Sequence, residues 1–216
     1  MIKPIVSFVL LGALALPSYA HELWLEREGS GPVKVFLGEP DQDVIEKGET
    51  VVALAPNTRI ITPDSAKQAA ITAKQDHLEA SIDGTGTVRV VNDQVWKPWE
   101  NDKGEVKAAL MHARWGRSET QAEMDLELVP VKAESDDFTL LFKGQPLADN
   151  DVMLITPENE AQPMKTDKQG RVQLSIDAPG RYILAAGHET PANGQRVAGQ
   201  EVDRLYHGTT TSFVAE

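Results

Sequence analysis

Apolar positions along the chain recur at every second residue in short runs, and Gly, Pro, Asn and Asp break the runs apart. That pattern predicts many short strands rather than long helices. Residues 22–26 read as a short extended start, and residues 32–38 alternate before a turn at Glu39-Pro40. Residues 50–55, with Val51, Val52 and Leu54, predict another strand stopped by Pro56-Asn57. Residues 77–82 and 85–91 predict a pair of strands joined at Asp83-Gly84, and residues 106–115 fit strand or helix by pattern alone. Residues 124–131 set Met124, Leu126 and Leu128 against Asp125 and Glu127, which is a half-buried strand ending at Pro130. The one helix expected spans residues 63–73, with Asp64 as its cap.

A polar run at residues 132–137 changes the composition and suggests a domain boundary. Beyond it, strands are expected at 138–142, 152–156, 172–176, 181–186 and 206–214, with turns at Gly144, Gly170 and Pro179-Gly180. The fold class expected is all-β, with two β-sandwich-like domains over residues 21–133 and 134–216.

The first 20 residues read differently. Lys3 supplies a positive start, residues 5–16 are almost unbroken apolar, and Ser18-Tyr19-Ala20 puts small residues where a signal peptidase cuts. Cleavage after Ala20 makes His21 the mature N-terminus, which offers a free α-amine and an imidazole from one residue. Both lose protons near neutral pH, at about 7.7–8.0 and about 6.5, so the pair closes a chelate ring on one transition-metal ion. No other stretch is apolar enough for a membrane span. The expectation is a periplasmic protein, not membrane-embedded.

Composition narrows the chemistry. There are no cysteines, which excludes disulfides and thiolate metal sites and leaves nitrogen and oxygen donors. Such donors favour copper(II), nickel, cobalt or zinc. The chain carries 33 acidic against 21 basic residues, a net charge of −12, which argues against nucleic acid as a partner. There is no G-x-S-x-G elbow, no H-E-x-x-H helix and no glycine-rich phosphate loop, so no hydrolase is indicated.

Two segments carry resemblances. Residues 138–184, with "FKGQPLADNDVMLITP", "TDKQGR" and "APGRYIL", resemble the prealbumin-like Greek-key modules of carboxypeptidase-regulatory or Cna-B type. That implies a Greek-key β-sandwich for the second domain and says little of function. The "AHELWLE" start beside the cleavage site, that module and the closing "YHGTTTSF" together look like an exported family known as a domain of unknown function. Its members are linked to nickel or cobalt uptake as a periplasmic component. The resemblance implies histidines near the positions of His188 and His207.

The expected ligands are therefore His21, His188, His207 and His112. His188 leaves a strand into a Pro/Gly/Asn-rich loop, and His207 opens the last strand. His112 lies in an apolar stretch, where a core histidine bonded to backbone is the plainer reading. If Leu110, His112 and Arg114 share a face, that face looks into a cleft. Met111 is a candidate soft donor, whereas His77, among Gln75, Asp76 and Glu79, reads as a solvated edge. Trp24 and Trp115 read as core, and Trp96-Lys97-Pro98-Trp99 as a loop covering the end of a sandwich. The expected function is non-enzymatic: capture of nickel, cobalt or copper and handover to a transporter, in the inner or outer membrane, or to a metalloenzyme. The alternatives are a histidine-brace copper-dependent oxidative enzyme and an exported interaction module that binds no metal.

Overall fold

The computed structural model describes residues 21–61 and 69–216. The chain begins with β1 (Glu22–Arg27), β2 (Val33–Glu39) and β3 (Val44–Ile45), followed by α1 (Glu49–Leu54), a 3-10 turn at Ala55–Asn57 and β4 (Thr58–Ile61). Then come β5 (Ile71–Ala73), β6 (Leu78–Ala80), β7 (Val88–Asn92), β8 (Trp99–Glu100), β9 (Val106–Trp115) and β10 (Leu126–Pro130). β11 (Asp137–Phe142), β12 (Gln145–Pro146), β13 (Asp151–Ile155), β14 (Ala161–Lys165) and β15 (Arg171–Gln173) follow. The last elements are β16 (Gly180–Pro191), β17 (Arg196–Val197), β18 (Gln200–Glu201) and β19 (Arg204–Ala215). The fold is all-β and sandwich-like, as the alternation predicts.

A central sheet runs β14-β13-β16-β19-β9-β7-β4, with β8 on the edge of β9. In front of it lies the sheet β1-β2-β6-β5, with β3 on β2; behind it lies β10-β11-β12, with β15 on β11. Period-2 alternation in β19 sends successive side chains to opposite layers. Thr210 donates to the Leu23 carbonyl in front at 2.7 Å, and Thr211 donates to the Leu128 carbonyl behind at 2.8 Å. The front core packs Leu23, Leu25 and Val35 on Val90, Ala109, Met111 and Ala113. The rear core packs Leu126, Leu128, Phe138 and Leu140 on Leu184, Ala186, Phe213 and Ala215. Thr209, Thr210, Thr211 and Ser212 are fully buried because this strand has a layer on each side.

The rear interface also holds a charged knot. Glu127 is wholly buried and accepts from Arg89 Nε at 2.7 Å and Arg114 Nη1 at 2.5 Å. Its second oxygen accepts the backbone N–H groups of Glu123 and Met124 at 2.8 and 3.0 Å. Arg89 donates further to Glu119 and the Gln121 carbonyl, and Arg114 to the carbonyls of Gly116 and Glu119. Every charge here is answered, as a buried ion cluster requires.

The polar run at residues 132–137 is the turn of the antiparallel β10–β11 hairpin. The central sheet draws β4, β7, β8 and β9 from before that turn and β13, β14, β16 and β19 from after it.

Three local expectations are corrected. Residues 50–55, expected as a strand, lie largely in α1, which buries Val51 and Leu54. An i, i+3 apolar pair fits one helical face as well as a strand. The expected pair at 77–82 and 85–91 is not a hairpin: β6 pairs with β2 and β5 in front, and β7 pairs with β4 and β9 in the centre. The turn at Gly84 passes the chain between layers. The helix expected over 63–73 falls partly outside the described residues, and its last three are β5.

One glycine fixes the turn that matters below. Gly38, at φ 154°, lies opposite Glu22 and Ile45, where a Cβ would strike the Val44 carbonyl. The substitution Gly38→Ala forces the β2–β3 turn open and is expected to cost roughly 1–3 kcal/mol. A lowered urea midpoint with unchanged m-value is the readout.

Candidate functional site

The hairpin register of β1 on β2 pairs Glu22 with Gly38, so the next step outward sets His21 beside Glu39. The turn into β3 then brings Glu46 back, its N–H on the Leu37 carbonyl at 2.9 Å. Nε2–H of His21 donates to Glu46 Oε1 at 2.9 Å, while Nδ1 lies 3.6 Å from Glu39 Oε1. The Trp96 ring meets the imidazole edge-on at 6.4 Å, closing one side. With Nε2 tied to Glu46, Nδ1 is the ring nitrogen left for a further partner. Nδ1 is the nitrogen that closes a six-membered chelate with the α-amine of its own residue.

Glu22, next along, is buried, and its Oε2 has no hydrogen-bond partner among the described residues. Burial, with Asp41 nearby, pushes its carboxyl up to about 8, so it is largely protonated at neutral pH.

The other three expected ligands are on the opposite side of the central sheet. In the parallel β9–β19 pair, His207 lies beside Leu110 and His112 beside Thr209; in the β16–β19 pair, His188 faces His207. Leu110, His112 and Arg114 do share a face, and it is the rear one, as the Arg114–Glu127 contact establishes. The His112 and His207 rings lie parallel within 9°, their centres 6.2 Å apart. Phe142 wedges its ring against both His207 (5.0 Å) and His188 (4.8 Å). Nδ1–H of His112 donates to the Gly208 carbonyl at 3.1 Å, and Nε2 of His207 meets Thr190 Oγ1 at 3.3 Å. His207 Nδ1 and Thr209 Oγ1 are buried without a partner among the described residues.

The expected set is thus split: His21 stands in front, and His112, His188 and His207 stand behind. A single ion held by His21 together with His188 and His207 does not fit this arrangement, because the central sheet lies between them. Met111 also points forward, into the front core beside Gly208, and is no partner for His112. Alternation of side chains along β9 is the cause. Among the described residues, no three His, Cys, Asp or Glu side chains are grouped to hold a metal ion by themselves. The residues that the sequence reading left out are Glu39 and Glu46. Continuing the β1–β2 register by one residue would have found Glu39.

Burial makes the rear histidines weak bases. Desolvation, with His112 beside it, pulls His207 down to about 4, and desolvation also lowers His112 and His188. In the unfolded chain each titrates near about 6.5, so unfolding takes up protons as pH falls. Their contribution to stability is complete above about pH 6.5 and is lost as pH falls, for His207 down through about 4. Glu22 has the opposite sign: its contribution is complete below its unfolded value and is lost as pH rises toward 8. Urea midpoints measured from pH 4 to pH 8 should show a flatter acid limb for His207→Gln and a flatter alkaline limb for Glu22→Gln. Unchanged slopes in both variants would overturn these assignments.

Among the described residues, no helix is long and apolar enough to cross a membrane. No curated protein matches the chain. The family model described as Domain of unknown function (DUF4198) matches residues 18–190, a span that includes His21, Glu39, Glu46, His112 and His188. By that match over most of its length, the chain belongs to the DUF4198 family.

Proposed function

We propose that this protein is an exported, periplasmic carrier of a divalent transition-metal ion, with His21 as its anchor. Signal-peptide removal after Ala20 frees the α-amine, which joins Nδ1 of the same residue and Glu39 around one ion. The observation that carries this reading is the division of labour on the His21 ring. One nitrogen is tied to Glu46, and the other is turned toward a second carboxylate. A ligating histidine characteristically donates its other N–H to a carboxylate, which orients the ring and raises its basicity. The 3.6 Å between Nδ1 and Glu39 Oε1 is close to the spacing of roughly 3–3.5 Å for two adjacent donors at about 2.0–2.2 Å from an ion.

The amine is the donor that the side chains alone lack, so the site is complete only in the processed chain. Nitrogen and carboxylate donors suit nickel, cobalt and copper(II). They are also readily exchangeable, and exchange is what passing an ion to a transporter or metalloenzyme requires. The neighbours of His21 are carboxylates rather than a second imidazole, which favours carriage over histidine-brace oxidative chemistry. Calorimetric titration of nickel(II) and copper(II) into the processed protein tests the proposal. A tightly bound ion that a chelator removes and that is lost when one residue precedes His21 is expected. Absence of binding to the processed form would leave an exported interaction module as the better description.

A further inference from the structure

We propose that His112 and His207 form a second transition-metal site, behind the central sheet and independent of His21. The two rings stand on the same face of neighbouring parallel strands, so backbone pairing fixes their separation. Each spends one nitrogen on an oxygen outside the pair: His112 Nδ1 on the Gly208 carbonyl, and His207 Nε2 on Thr190. That leaves Nε2 of His112 and Nδ1 of His207 as the two bare nitrogens. His207 is 1% exposed, and its Nδ1 has no partner among the described residues. A buried imidazole nitrogen without a partner is rare in a native fold and calls for a physical account.

The spacing supplies that account. Two imidazoles that bind one ion from opposite sides at about 2.0–2.1 Å set their ring centres roughly 6–6.5 Å apart, and here they are 6.2 Å apart. The oxygens on the far nitrogens are the outer contacts that ligating histidines keep. Access exists as well. His112 lines a cleft of about 280 Å³ together with Asp93, Glu123 and Asp125. Three carboxylates against the one guanidinium of Arg59, which pairs with Asp93, leave this mouth net negative and draw a cation toward it, and water completes the ion's shell. Phe142 seals the other side of His207. Imidazole donors in a thiol-free setting suit copper(II), nickel(II) or zinc(II).

The test uses processed protein with one extra glycine before His21, so that the N-terminal site is disabled and the two proposals fail separately. Zinc(II) and copper(II) are titrated into this form, and imidazole ¹⁵N resonances are followed with zinc. One bound equivalent is expected, with the signals of His112 and His207 moving and that of His77 unmoved. His112→Asn keeps a donor for the Gly208 carbonyl, and His207→Gln keeps one for Thr190; each removes only the bare nitrogen. Both variants are expected to weaken binding by at least tenfold while unfolding at temperatures close to the parent. No bound ion in the extended parent overturns the proposal, as does binding that survives both substitutions.

Discussion

One glycine placed before His21 is expected to weaken binding at the N-terminal site by at least about 100-fold. The added residue turns the α-amine into an amide, which does not bind a metal near neutral pH without losing its proton. The imidazole then loses its chelate partner. Removing a mere outer contact of a metal site costs about 10–100-fold, so losing a direct donor and a chelate ring costs more. The Glu46→Ala variant is expected at the lower end of that range, because it frees the His21 ring without removing a ligand. In calorimetry, the native protein should show a nickel(II) or copper(II) binding event that the extended form lacks. If both forms bind identically, the amine is not a donor and the carrier reading falls.

The second large effect is on stability. Glu127→Ala removes the carboxylate that answers two buried guanidinium groups and two backbone N–H groups. Breaking a buried ion cluster from one side costs about 3–5 kcal/mol, since the remaining charges stay buried and unanswered. For a chain of this size, that corresponds to a fall in Tm of roughly 6–20 °C. Thermal unfolding followed by circular dichroism checks it. The exposed Lys165–Asp151 pair is the control: Lys165→Ala should move Tm by no more than about 1–2 °C. A Glu127→Ala protein as stable as that control would show that the knot is not holding the rear interface.

The sequence carried the β class because alternation survives wherever one face is buried. It singled out His21 because the expected cleavage site before it is a local signal. What it lacked was depth. The Thr210–Ser212 run is polar by composition, yet it crosses the middle of the molecule, since hydroxyls bonded to facing carbonyls cost little to bury. Nothing local marks Arg89, Arg114 and Glu127 as partners across distant strands. The split of the histidines was not legible: His21, His188 and His207 were expected around one ion, and a shared face for Leu110, His112 and Arg114 was only a condition. Which layer that face meets depends on the parallel pairing of β9 with β19, and pairing across so long an interval leaves no trace in spacing. Glu39 and Glu46 were hidden for the opposite reason, since acidic residues are everywhere in this chain.

The place of β19 bears on how the protein folds. Its two neighbours in the sheet, β9 and β16, both precede it, and both outer layers hydrogen-bond to its side chains. Until residues 204–215 are in place, the β4-β7-β9 and β14-β13-β16 parts of the central sheet cannot be joined. Pairing of such high contact order is slow even after synthesis is complete. The strand that joins the two halves of the central sheet therefore sets the pace of the last folding step.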